Sequence, residues 1–141
     1  MNQQLKKIDT FVNGLHKPDL GMLFIRIALG LVFIHSGWSK VQDIDLVVTG
    51  FGQLGFAPWL AYLVSYGELL GGIAMIVGLL VGYAGIILAI IMLVAMLKVH
   101  WINGFSLAKG GYEYVLVLLL ASLAVVTLGA GKYSLEAKWK R

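Results

Sequence analysis

The stretch LGMLFIRIALGLVFIHSGW, Leu20–Trp38, decides the fold. At about 1.5 Å of rise per residue it covers, or nearly covers, a hydrocarbon core of roughly 30 Å. Three further stretches read the same way: Ala57–Val81, Tyr83–Trp101 and Tyr112–Ala130. The fold class that follows is all-α and integral to a membrane, an antiparallel bundle of four transmembrane helices over residues 20–38, 57–81, 83–101 and 112–130. Within these spans or at their ends sit Arg26, His35, Glu68, Lys98, His100 and Glu113. A charge in a bilayer costs several kcal/mol unless it is paired or wetted, so such residues face the protein interior and often mark a site.

Composition agrees. Of 141 residues 60% are hydrophobic and only 13% charged, with a mean hydropathy of +0.88, whereas soluble chains run near a quarter charged. Four crossings and their connections use nearly all of residues 1–141, so a single membrane domain is expected. The net charge of +4 does not point to nucleic acid, because its placement is that of a topology signal. Lys6, Lys7, Lys17, Lys132, Lys138, Lys140 and Arg141 flank the bundle on the side of the termini, against Lys40, Lys98 and Lys109 on the other. Both termini are therefore expected in the cytoplasm. The absence of cysteine excludes a thiol relay, disulfides, iron–sulfur ligation and cysteine-bound zinc. A cleavable leader is not expected: the first apolar run follows a long polar lead, contains Arg26, and leads into His35-Ser36-Gly37-Trp38-Ser39-Lys40 rather than a small-residue cleavage site.

The lead, residues 1–17, places Leu5, Ile8, Val12 and Leu15 on one helical face, with Lys6, Lys7, Asp9 and Asn13 mostly elsewhere. It reads either as a frayed tail or as an amphipathic helix on the inner leaflet. Between the first two spans, Val41, Ile44, Val48, Phe51 and Leu54 recur at helical spacing, which predicts a short interfacial helix ended by Gly55 and Pro58. That helix is either a connector seated in the headgroups or a lid over an outward opening. Spans two and three are expected to turn at Gly82-Tyr83, with Gly78-x-x-x-Gly82 as a weak packing pattern.

Arg26, Gly30, Phe33, Gly37 and Lys40 share a drifting stripe on the first span, so Arg26 is expected to face the bundle rather than to snorkel. Glu68 lies mid-span with no route to water and must be paired, protonated or solvated. Counting from the cytoplasmic ends puts His35 and Lys98 in its layer, and the expected partner is Lys98, Arg26 or His35. A second polar layer lies toward the outer face, from Lys40, His100, Asn103, Tyr112, Glu113 and Tyr114, with Trp38, Trp59 and Trp101 as interfacial anchors. The candidate ligand pocket is thus Glu68, Lys98, His100, His35, Arg26, Lys40, Glu113 and Tyr114. His35 and His100 at comparable depth permit a haem, but neither repeats at helical spacing, and haem is not expected. A metal on His35, His100, Glu68 and Glu113 is chemically feasible, yet the expectation is no metal and no covalently bound cofactor. No nucleophile triad, phosphate loop or dinucleotide fingerprint is present.

The string Arg26-x-x-x-Gly30-x-x-Phe33-x-x-x-Gly37-x-x-Lys40 resembles the opening motif of the DoxX family. So do Glu68-Leu69-Leu70-Gly71-Gly72 with Gly78-Leu79, His100 before Gly104-Phe105, Gly111-Tyr112-Glu113-Tyr114, and the closing Gly129-Ala130-Gly131-Lys132-Tyr133-Ser134-Leu135. The likeness runs from about Leu20 to Glu136, departing at Ala130 and Glu136, where proline and aspartate are the expected residues. It implies a four-helix protein of the bacterial inner membrane, with relatives among subunits of quinone-linked oxidation and redox-stress systems. Three functions stay open on the residues: a quinone- or quinol-binding subunit of an oxidoreductase, a non-enzymatic assembly subunit, and a small lipid-binding or transport module. Membrane lipids are expected partners, as is a redox subunit or a second copy of the chain.

Overall fold

A computed structural model describes residues 2–141. Among them every regular element is helical. Helix α1, Gln3–Gly14, starts on Asn2, whose side chain accepts from the Gln4 amide, and it buries none of its residues. Helix α2, Pro18–Gln42, begins on a proline, whose missing N–H costs nothing in a first helical turn. Helix α3, Ile44–Gln53, is the short helix that the spacing predicts, and Gly55 follows it at φ +82°. Helix α4, Pro58–Val77, also opens on proline.

The next turn differs from expectation. It falls at Gly78–Leu80 rather than at Gly82-Tyr83, because Gly78 takes the left-handed conformation (φ +76°) and ends α4. A side chain there would also strike the Arg26 guanidinium and Ser134. Gly82 meets nothing, so Gly78-x-x-x-Gly82 is no packing face.

Helix α5, Val81–Ala95, passes into a π-helical turn over Met96–His100 and a 3-10 turn over Trp101–Asn103. Helix α6, Glu113–Leu128, precedes the five-residue α7, Leu135–Trp139. Three helical segments, Pro18–Gln42, Pro58–Val77 and Val81–Asn103, are long and apolar enough to cross a bilayer. The apolar α6 has 16 residues, or about 24 Å of rise, shorter than the expected span 112–130.

In lipid no hydrophobic force drives helices together, so close approach of small residues has to do it. Helix α2 packs chiefly on α4, α4 on α5 and α5 on α6, each pair antiparallel. On the α2–α4 seam a Cβ at Gly37 would lie 2.7 Å from Leu69 Cα, and one at Gly72 would lie 2.7 Å from the Ile34 amide. These neighbours are backbone and cannot step aside. Gly71 meets Leu88 across α4–α5, and Gly85 meets Val126 across α5–α6.

The α2–α6 contact is thin. At the terminus-bearing end the segment after α6 closes on α2, where the Lys132 amide donates to Asp19 Oδ1 at 3.0 Å and Gly131 approaches Met22. The bundle is therefore drawn together at one end and has room to open at the other.

The seam yields a paired expectation. Gly37→Ala should lower the thermal midpoint in detergent by several degrees, as overpacking costs about 1–3 kcal/mol. Gly82→Ala, with nothing within 4 Å of the added methyl, should leave the midpoint unchanged or raise it slightly. Equal losses for both variants would contradict the close α2–α4 approach.

Candidate functional site

Glu68 projects from α4 into the α2 interface and is 2% exposed. Its partners come from one face of α2. Ser36 Oγ donates to Glu68 Oε2 at 2.8 Å, and Lys40 Nζ donates both to the same oxygen and to Ser36 Oγ, the latter at 2.8 Å. Lys40 and Glu68 form the ion pair, with the Lys40 side chain 29% exposed.

The expected pairing of Glu68 with Lys98, Arg26 or His35 is thus corrected. Counting residues gives the depth of Cα atoms, and Lys40 then counts as beyond the layer of Glu68. A helical side chain leans toward its own N-terminus, however, and the lysine stem is long. The ammonium reaches back one turn to the level of Ser36. Ser36 was missed as a candidate, although Ser36-x-x-x-Lys40 places the two on one helical face.

Arg26 is buried, but at the other end of the bundle and in a different role. Its Nε donates to Met75 O at 2.9 Å and Nη2 to Ile76 O at 3.2 Å, while Nη1 donates to Ala130 O and Tyr133 O, each at 2.9 Å. Met75 and Ile76 lie in the last turn of α4, where carbonyls lack helical partners and the helix dipole favours a cation. Arg26 therefore ties α2 to the end of α4 and to the segment after α6, and is not on the wall of the bundle's large cavity. Beside this knot the Glu136 carboxylate accepts from Lys140 Nζ at 3.0 Å and from the Val81 amide at 3.4 Å. The Lys140 hydrogen bond, helped by the amide, holds the Glu136 carboxyl below its ordinary value.

Lys98 is exposed and lies off the wall of the large cavity. The buried face of α5 runs Val81, Ala84, Gly85, Leu88, Ala89, Met92 and then Met96; Lys98 lies two residues further, about 200° round the helix. That stripe was readable in the sequence. Glu113 braces a loop instead of closing a pocket, its Oε1 accepting from the Leu107 amide at 2.9 Å. Nearby, Tyr112 stacks on Trp101 with ring centres 4.9 Å apart.

The other candidates do converge. A cavity of about 980 Å³ occupies the half of the bundle away from the termini, and His35, Lys40, His100 and Tyr114 lie on its wall together with Ser36 and Ser39. The remainder of the lining is almost wholly apolar and includes Phe51 and Leu54, from α3 and just after it, and Phe56. Glu68 sits behind Ser36 and Lys40 rather than on the wall. His100 Nδ1 lies 2.9 Å from Gly110 O, and Asn103 Nδ2 donates to the same carbonyl at 3.2 Å. A carbonyl only accepts, so Nδ1 carries a proton; in the neutral ring Nε2 is then an acceptor. The π-helical turn that holds His100 is a rare feature and one that recurs at functional sites. Among the described residues no three His, Asp or Glu side chains gather into a ligand set, so His35, His100, Glu68 and Glu113 do not form the metal site considered from sequence.

A family model described as DoxX matches residues 21–101, the segment that carries Arg26, Ser36, Lys40, Glu68 and His100. The chain belongs to the DoxX family. It is 28% identical over 118 residues to a Bacillus subtilis (strain 168) protein named "Putative oxidoreductase CatD", covering 84% of this chain and 86% of that one. It is 31% identical over 74 residues to an "Uncharacterized protein" of Haemophilus influenzae, covering 52% of this chain and 49% of the relative. No solved structure matches. The family and the three long apolar helices make it a DoxX-like membrane protein.

The corrected pairing separates two lysines. Lys40→Met leaves Glu68 buried without its cation and should lower the thermal midpoint sharply, the usual cost being about 3–5 kcal/mol. Lys98→Met should change it little; the reverse order would restore the pairing expected from sequence.

Glu136 carries a pH dependence. Its lowered folded value means that its contribution is fully present above the ordinary carboxylate range and is lost on acidification, as pH falls through the folded value. Glu136→Gln should therefore flatten the acid limb of a midpoint-against-pH curve.

Proposed function

We propose that this DoxX protein is the quinone- or quinol-binding membrane subunit of a redox system. The observation that carries the reading is the cavity of about 980 Å³, apolar along most of its wall and polar at a few convergent groups. Ligand sites have this size and make-up. An apolar wall that faces the lipid-embedded half of the bundle suits an isoprenoid tail, and Tyr114 and Phe51 suit a planar head. The name of the Bacillus subtilis relative adds support for redox chemistry of some kind.

The chain's own groups supply complementary hydrogen bonds. An ammonium has three protons; Lys40 gives one to Glu68 and one to Ser36, which leaves a donor for a carbonyl oxygen. His100 offers Nε2 as the acceptor for a hydroxyl and thus as the general base that takes its proton. Glu68 holds the Lys40 ammonium in place. A bound quinone–quinol couple would supply the electron-carrying chemistry that a chain without cysteine or cofactor motifs lacks, with the hydroxyl proton leaving to His100 as the quinol is oxidised and returning as the quinone is reduced.

We place the protein in the bacterial inner membrane with both termini cytoplasmic and four spans, on the strength of the lysine and arginine bias. The cavity then lies toward the outer face, beneath α3. A cytoplasmic reporter fused to the C-terminus should be active, and an active periplasmic reporter at that position would reverse the orientation.

The ligand is tested on purified protein. Solvent extraction should release quinone, and a short-chain quinone analogue should raise the thermal midpoint by a few degrees. His100→Ala should lose most of that rise and Lys98→Met should keep it. No rise in the wild type and no co-extracted quinone would leave the buried charges as packing devices and favour the assembly role.

A further inference from the structure

We propose that the end of the bundle that carries both termini binds the phosphate of an anionic phospholipid headgroup, in a cleft between α4 and the segment leading into α7. The cleft measures about 300 Å³ and is lined by Val77, Lys132, Tyr133, Ser134, Leu135 and Lys138. This site lies at the opposite end of the molecule from the larger cavity and does not rest on the quinone reading.

Its chemistry is two-sided. Lys132 and Lys138 are exposed, and among the described residues neither pairs with a carboxylate, whereas Lys140 is engaged by Glu136. The Lys132 ammonium stands over the Tyr133 ring, 5.1 Å from its centre. Next to these cations lie Val77, the last residue of α4, and Leu135, both more than a third exposed. A ligand that satisfies both parts is an amphiphile with a phosphate against the lysines and its glycerol and first methylenes on Val77 and Leu135. Basic pockets at the cytoplasmic ends of membrane helices recognise anionic headgroups in this way.

The cleft is also built in advance. The Lys132 amide is fixed on Asp19, the Tyr133 carbonyl on Arg26, and Ser134 Oγ donates to Gly131 O at 2.7 Å while accepting from the Ala137 amide. The backbone that presents the lysines therefore needs little ordering on binding.

A second feature at the same end fits the same partner. Helix α1 exposes Leu5, Ile8, Phe11 and Val12, with Lys6 and Lys7 off that face, and buries none of its residues against the described chain. Only Leu15–Lys17 separate it from α2, so it is held at the membrane surface. There an apolar face with flanking cations lies flat among anionic headgroups.

The test uses the full chain in phosphatidylcholine vesicles with and without phosphatidylglycerol, read by thermal midpoint, with native mass spectrometry to count retained lipid. Phosphatidylglycerol should raise the midpoint and stay bound. Lys132→Gln with Lys138→Gln, both on exposed positions, should at least halve the rise and the retained lipid, and Lys109→Gln at the far end should leave both unchanged. Equal midpoints in the two vesicles would overturn the proposal, as would a double variant that keeps the full rise. An equal rise from inorganic phosphate in detergent would assign the cleft to free phosphate instead. A loss on Lys6→Gln with Lys7→Gln, with the full rise and retained lipid kept by the Lys132 and Lys138 double variant, would move the binding to α1 and overturn the cleft.

Discussion

A carboxylate inside a bilayer has to be neutralised, and most of this architecture can be traced from how Glu68 meets that demand. Left alone, the charge would cost several kcal/mol, a large share of the marginal stability of a small domain. Ser36 and Lys40 answer it from a single face of α2. That answer works only if α2 and α4 lie close in one register, and Gly37 and Gly72 permit the approach by leaving no side chain between the backbones. The ion pair and the glycine seam are therefore two parts of one device. The glycines supply proximity, and the charge pair supplies the register.

Arg26 solves a different problem at the opposite end. The last carbonyls of α4 have no helical donors, and in lipid no water can serve them. One guanidinium serves two of them and two more carbonyls after α6, so a single side chain gathers three segments of chain. With that end tied and the α2–α6 contact thin, the far half of the bundle is free to hold a cavity. The same groups that stabilise the fold thereby place Lys40 on the wall of the cavity and keep Arg26 out of it.

Much of this was legible in the residues. Apolar length gave the membrane helices, mid-span position gave the burial of Glu68, and the stripe through Arg26, Gly30, Phe33 and Gly37 gave the inward face of α2. The errors have physical causes. Residue counting locates only the Cα of Lys40, whereas a lysine ammonium acts several ångströms away from it. Depth alone sets Lys98 beside Glu68, whereas rotation about the helix axis turns it outward. Sequence favours a turn at Gly82 because only φ at Gly78, not its identity, separates a packing glycine from a helix-ending one. The cavity itself lies beyond the sequence, since no residue pattern announces the thin contact between α2 and α6 or the π-helical turn that carries His100 on its wall.

The central claim is that Glu68 and Lys40 stabilise this bundle as a pair. A double-mutant cycle on thermal or chemical unfolding in detergent, with Glu68→Gln, Lys40→Met and the combination, measures it directly. The expected result is a strong coupling, about 2 kcal/mol or more, with the double variant much less damaged than the two single losses add to. Losses that add to within about 0.5 kcal/mol would show the two side chains acting independently and would contradict the account.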